Sequence, residues 1–250
     1  MQILNQQLTK LKLAGVRTAL QKQQSQPNLY AEQSFEERLS LLLSDELNGR
    51  EQRRIERLTK QAKFRLSARL EQLDYSVHRG LYKERVRSLA QGEWLKHQQN
   101  LLITGATGCG KTYLSCALGQ HYCQAGYSVY YFRLKELLEK MFIAQADGSY
   151  RKLIQTLKAC DLLILDDWGL EPLTPQQRSD LLELIDARYD FHSTMVTSQL
   201  PVEHWYEMIG ESTHADAILD RLVHGAIKVE LEGESMRKKL NNLTDADHSR

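Results

Sequence analysis

Residues 105 to 112, Gly105-Ala106-Thr107-Gly108-Cys109-Gly110-Lys111-Thr112, follow the pattern G-x-x-x-x-G-K-T. That order suits one chemistry. Glycines let consecutive backbone N–H groups curl around phosphate oxygens, Lys111 is placed to reach the β and γ phosphates, and the Thr112 hydroxyl can hold Mg²⁺. The flanks agree. Asn100 to Thr104 is a short, largely apolar run with strand character, and Leu114, Ala117, Leu118 and Tyr122 recur behind the loop at helical spacing. A helix starting near Lys111 adds its positive end to the same spot. Residues 105–112 therefore read as a nucleoside triphosphate site.

Strand and helix signals alternate downstream. Ser128 to Phe132 is an aromatic, β-prone run, and Leu134, Leu137, Leu138, Met141 and Phe142 follow at helical intervals. A short basic helix is expected over Tyr150 to Lys158. Next comes Leu162-Leu163-Ile164-Leu165-Asp166-Asp167, whose four apolar residues mark a strand buried on both faces of a parallel sheet. Its acids fall at the carboxyl end, where ligands sit in open α/β sheets. Asp166 is expected to hold Mg²⁺, and Asp167 to orient the attacking water or accept its proton. The competing role, two acids capping the next helix, is weakened by a phosphate loop two β/α units upstream. Pro175 opens a further helix, and Thr194 to Ser198 is another β-prone run with a polar end at Thr197, Ser198 and Gln199. Trp205 to Met208 and Ala215 to Leu222 read as short helices, with Arg221 on the second, and Ile227 to Leu231 as a last strand.

The first hundred residues differ in character. They carry 18 Lys/Arg against 11 Asp/Glu, while residues 101 to 250 carry 15 against 21, so a net charge of +1 conceals a basic front and an acidic back. Such a split suits a polyanionic partner, although an acidic nucleotide domain would produce it too. Leu4, Leu8, Leu11, Ala14 and Leu20 predict a helix to about residue 22, broken before Pro27. Ser34 and Glu37 form a capping-box signature for a second helix, whose buried face is expected to be Leu39, Leu42, Leu43 and Leu47. Asn48-Gly49 would end or kink it. Arg50, Arg53, Arg54, Arg57, Lys60, Lys63, Arg65 and Arg69 follow against only Glu51 and Glu56. The row either grips backbone phosphates or is a solvated helix face. Arg79-Gly80-Leu81 is expected to turn near the adenine.

Cys109, Cys116, Cys123 and Cys160 lack C-x-x-C or metal-ligand spacing, and the first three fall at seven-residue intervals expected to share one side of the helix after the loop. Small apolar fillers in a reduced, cytoplasmic compartment are the expectation. The polar start of the chain argues against a signal peptide, and no apolar run approaches a bilayer span.

The order of the phosphate loop, LLILDD, TSQLP, ILDRL and GESMRKK resembles the AAA+ ATPases of the DnaC and IstB group, and most closely the IstB-like helpers of insertion-sequence transposition. The likeness spans nearly the whole chain, including SFEERL and the basic run through Lys63-Phe64. It implies an α/β AAA+ core with sheet order 5-1-4-3-2 after a small all-helical domain. The corresponding limits are a basic DNA- or partner-binding domain at 1–70, a linker on the adenine side at 71–98, the ATPase at 99–240 and a flexible tail at 241–250. ATP and Mg²⁺ would be cofactors. Lys111 and Thr112 would meet phosphate and metal, Asp166 and Asp167 would form the Walker B pair, and Gln199 would be the sensor ending the fourth strand. Arg221 would be an arginine finger for a neighbouring subunit, unless it pairs with Asp216 or Asp220 on its own helix. Arg237 would be sensor 2. Arg50, Arg53, Arg54, Arg57, Lys60 and Lys63 would bind nucleic acid.

The likeness further implies an ATP-dependent homo-oligomer on duplex DNA beside a transposase, with a DnaC-like helicase loader as the alternative. A small-molecule P-loop kinase fits less well, since no Arg-rich lid segment is evident. Two departures stand out. Most AAA+ proteins carry Glu where Asp167 stands, so slow, DNA-stimulated turnover is expected. Only 18 residues remain beyond Glu232, too few for the usual helical lid, which is expected to be missing or vestigial.

Overall fold

A computed structural model describes residues 2–76, 80–210 and 212–233. It divides into two compact units, residues 1–57 and 58–250.

The first unit holds α1 (Gln2–Lys10), α2 (Ala14–Ser25) and the start of the long α3 (Phe35–Ala62). Leu8, Val16, Ala19 and Leu42 form its core. The single helix expected to residue 22 is instead two, with Lys12 left-handed at φ 57 between them. The break has a cause far along the chain. Glu46 Oε2 accepts from the backbone N–H groups of Gly15 (2.6 Å) and Val16 (3.3 Å), capping α2 from α3. Gly15 is required there, because a Cβ would lie 2.6 Å from Glu46 Cα. Arg50, bonded to Glu46 at 2.7 Å, holds that carboxyl below its ordinary pKa, with help from the two amides.

The Ser34–Glu37 capping box is present in both directions, at 2.7 and 3.2 Å. The expected buried face of α3 is not. Leu42 is buried, but Leu39, Leu43 and Leu47 are exposed, because only the side bearing Leu42 and Glu46 is covered. Asn48-Gly49 neither ends nor interrupts α3, which continues with i,i+4 pairs such as Glu46–Arg50 and Gln52–Glu56. Lys63, at φ 56, ends it.

The second unit is a five-stranded parallel sheet: β1 (Leu101–Gly105), β2 (Val129–Arg133), β3 (Leu162–Trp168), β4 (Ser193–Ser198) and β5 (Ile227–Leu231). The spatial order is β2-β3-β4-β1-β5, the 5-1-4-3-2 order expected. Its layers follow from alternation. Leu162 and Ile164 enter one core while Leu163 and Leu165 enter the other, and all four are fully buried. The first core is closed by α4 (Lys83–Ala90), α5 (Glu93–Lys96) and α6 (Lys111–Gln124), together with Leu58, Ala62 and Ala68. The second is closed by α7 (Leu134–Asp147), α8 (Tyr150–Ala159), α9 (Pro175–Arg188), α10 (Trp205–Ile209) and α11 (Ser212–Val223).

The segment before β1 is fastened to the helix behind the loop. Trp94 Nε1 donates to Tyr122 Oη at 2.8 Å, and Tyr122 Oη donates to the Leu89 carbonyl at 2.6 Å. Phe64 lies against Gly119 so closely that a Cβ there would be 2.5 Å from its ring. The four cysteines are buried thiols outside any disulfide, and burial pushes those of Cys116 and Cys123 up to about 11 and about 12. Only those two lie on α6; Cys109 belongs to the loop before it. Gly80, at φ 71, packs on β5, where a Cβ would meet the Glu230 carbonyl at 2.6 Å, while Arg79 lies outside the described residues. So do Arg237 and the segment on which the lid expectation rests.

Candidate functional site

The phosphate loop leaves β1 at Gly105 and enters α6 at Lys111. Gly105 has φ 142 and faces β5 so tightly that a Cβ would stand 2.0 Å from the Leu231 carbonyl; no other residue fits. Gly110, at φ 101, makes the left-handed turn into the helix. Thr107, Gly108, Gly110, Lys111 and Thr112 line a cavity of about 260 Å³ that Asp167 and Gln199 also border. Ala106 and Cys109 shape the loop from behind: the Ala106 carbonyl accepts from Lys111 Nζ at 2.8 Å, and Cys109 is fully buried. Lys111 Nζ also donates to the Gly105 carbonyl at 2.6 Å and to Cys109 Sγ at 3.8 Å, so its three donors meet the loop itself and a phosphate oxygen would displace the weak thiol contact first.

The acids of β3 stand at its carboxyl end. Asp166 is buried, and its carboxylate accepts from Thr112 Oγ1 (2.9 Å to Oδ2), Tyr131 Oη and Thr197 Oγ1. Burial, then the neighbouring Asp166, drives the Tyr131 pKa upward, which keeps its phenol a donor. A threonine hydroxyl beside a fixed carboxylate is the hard-oxygen pair Mg²⁺ takes when phosphates complete its shell, so these residues fit that ion. Asp167 adopts φ 58, which turns its side chain away from the run of β3. Its Oδ2 meets Arg133 Nε at 2.8 Å and Arg65 Nη1 at 3.6 Å. The hydrogen bond from Arg133 to Asp167 raises the Arg133 pKa.

Gln199, just past β4, accepts from Thr107 Oγ1 at 2.6 Å. Arg221 is elsewhere. Its main-chain carbonyl accepts from Asn100 Nδ2 at 2.8 Å, and Asn100 precedes β1, so it sits at the end of the sheet opposite the loop, roughly 16 Å away by strand rise. Its guanidinium meets Asp186 of α9 at 2.6 Å, rather than Asp216 or Asp220, and lies 5.9 Å from the Tyr189 ring centroid. Arg50 and Arg53 reach Glu46 at 2.7 and 3.7 Å, and Arg54 reaches Glu51 at 3.8 Å; all three are about half exposed. Arg57 and Lys60 continue α3, and Lys63 follows it.

The geometry thus gathers Lys111, Thr112, Asp166, Asp167 and Gln199 and leaves Arg221 outside. Sequence reasoning missed Tyr131, Arg133 and Arg65. Arg133 was findable, since it ends β2 in register with Asp166 at the edge where ligands bind. Arg65 stood in the basic row of 50–69, but nothing local tied it to Asp167.

A family model described as IstB-like ATP binding protein matches residues 6–244. A protein of Sinorhizobium fredii described as an insertion sequence ATP-binding protein is 47% identical over 205 residues, covering 82% of this chain and 84% of that one. Among solved structures, DnaI superposes with a TM-score of 0.58 at 20% identity, over 66% of this chain and 91% of that one. DnaA from Aquifex aeolicus with bound AMPPCP gives 0.58 at 21%, over 73% and 56%. These likenesses show an AAA+ fold. Among the described residues no helix is long and apolar enough to cross a membrane.

Proposed function

Because the chain belongs to the IstB-like ATP binding protein family, we propose that it is an ATP-hydrolysing helper that assembles on duplex DNA and regulates a partner transposase. The observation that carries this reading is the 2.9 Å contact between Thr112 Oγ1 and Asp166 Oδ2, which joins the phosphate loop to the acidic strand end. A phosphate-loop hydroxyl beside a strand-end carboxylate is the pair that a polyphosphate and its metal would use together.

In this reading the amides of 105–110 and Lys111 hold the β and γ phosphates. Thr112 and Asp166 would hold Mg²⁺, which supplies positive charge against the developing negative charge. Thr197 and Tyr131 keep Asp166 oriented. Asp167 aligns water for attack on the γ phosphorus, and Gln199 reports on the phosphate through Thr107. Arg221 cannot reach its own loop across the sheet, so it acts on the nucleotide of a neighbouring copy. The cations of residues 50–63 grip DNA backbone phosphates without reading bases. Identity to insertion-sequence ATP-binding proteins favours duplex DNA and a transposase over a replicative helicase.

Sedimentation with ATP or ADP, on duplex or single-stranded DNA, tests this. ATP-dependent particles on duplex DNA are expected, and Lys111→Ala should bind no nucleotide and form none. The same particles with and without nucleotide, or a preference for single strands, would overturn the proposal.

A further inference from the structure

Two anchored supports meet at Arg221. The last turn of α9 carries Asp186 and, three residues on at its cap, Tyr189, so the two share a face. Arg188 between them is 1% exposed. It donates from Nε to Thr194 Oγ1 (3.2 Å), from Nη1 to the Cys160 carbonyl (3.0 Å) and from Nη2 to the Ser193 carbonyl, which fastens α9 to the end of α8 and the start of β4. The second support is the end of α11, where the Arg221 and Leu222 carbonyls accept from Asn100.

Between these supports the guanidinium is held on its inner side. Nε donates to Asp186 Oδ1 at 2.6 Å, Nη1 donates to the Ala217 carbonyl one turn back at 2.9 Å, and Cζ stands 5.9 Å from the Tyr189 ring centre. Among the described residues Nη2 makes no hydrogen bond, and the side chain, 29% exposed, borders a cavity of about 170 Å³. The outer edge of the fork therefore stays open to a second anion. The ion pair does little for the fold, because Asp186 is 59% exposed and pairs so open to water contribute little stability. What it fixes is direction. A long, flexible side chain has given up its rotational freedom before it meets a phosphate.

We propose that Asp186, with the Tyr189 ring, is the positioning residue for the arginine that one copy offers to the nucleotide of the next. The inference rests on the neighbour-acting Arg221 of the reading above and adds which groups aim it. Asp186 touches no nucleotide and acts through Arg221. A catalytic group misplaced by about 1 Å forfeits on the order of a hundredfold in rate, and the Asp186 carboxylate is what prevents that displacement.

The test is steady-state ATP hydrolysis by the full chain on duplex DNA. Asp186→Ala, which leaves a good helix former in α9, should lower kcat on the order of tenfold to a hundredfold with the KM for ATP unchanged. Asp186→Asn, which removes the charge alone, should lose less in the same direction, and Asp186→Glu should recover most of the rate. On an Arg221→Ala background Asp186→Ala should change nothing further. Mixing separates aim from fold: Lys111→Ala copies bring an intact Asp186 and Arg221, so they should restore hydrolysis at the loops of Asp186→Ala copies. Asp186→Ala copies that turn over at or above the wild-type rate would overturn the proposal, as would a second, equal loss on the Arg221→Ala background. So would Asp186→Ala copies that stay slow beside Lys111→Ala copies able to rescue Arg221→Ala. Arg221→Ala copies as fast as wild type would overturn the parent reading instead.

Discussion

Thr107 and Gln199, 92 residues apart, are joined by a hydrogen bond of 2.6 Å that fastens the phosphate loop to the end of β4. On the proposed reading, occupancy of the loop would be felt at a second strand through this bond. Gln199→Ala should bind ATP with little change yet lose about tenfold or more in kcat, in line with removal of one positioned polar group. Nucleotide titration beside single-turnover hydrolysis checks it; equal losses in binding and rate would count against a sensing role.

Asp167→Asn should hold the protein in its assembled ATP form. Asn tolerates the left-handed backbone that Asp167 adopts at φ 58, so the exchange removes the charge without a backbone penalty. Particles that persist on duplex DNA with ATP while phosphate release stops are the expected result. Normal phosphate release would remove Asp167 from the chemistry.

Arg221→Ala should bind ATP and hydrolyse it on the order of a thousandfold more slowly, the scale of an arginine finger. Mixing tests the geometry directly. Arg221→Ala copies keep an intact loop and Lys111→Ala copies keep an intact Arg221, so the two inactive variants together should recover part of the activity. No recovery would leave Arg221 as the partner of Asp186 and nothing more.

Replacing Arg53, Arg54 and Arg57 together with Gln should weaken duplex binding and lower the slope of log affinity against log salt by about 2 to 3. Anisotropy over a salt series reads both. An unchanged slope would return these side chains to the solvent.

Glu46 makes the first unit acid-sensitive. Its folded pKa lies below the ordinary 4.5, so its stabilisation is complete above that pH and is lost as acid protonates the folded carboxyl. Glu46→Gln should melt earlier than wild type at neutral pH, and the difference should shrink as the pH falls below 4.5 and acid protonates the folded carboxyl. Coincident melting at neutral pH would deny the cap its role.

The phosphate loop and the Asp166–Asp167 strand end were legible because each is local: one backbone turn, one buried strand. What escaped the sequence is set by partners distant in the chain. The break between α1 and α2 depends on Glu46, 31 residues beyond Gly15. The leucines of α3 repeat with helical period, but period alone does not say which side a neighbour will cover, and the side of Leu42 and Glu46 won. Arg65 sits in a turn with no periodic signature, and only the fold carries it to Asp167.

Asn100 binds the Arg221 and Leu222 carbonyls at 2.8 and 3.2 Å, accepts from Thr194 N at 2.9 Å, and leads directly into β1. The backbone beneath Arg221 is thus hinged to the strand that ends in its own phosphate loop. In a row of copies, a tug on one arginine by the adjoining nucleotide would run down a single strand to the next nucleotide. Firing along such a row would pass from one copy to the next like a wave, with β1 as the stiff rod between successive links.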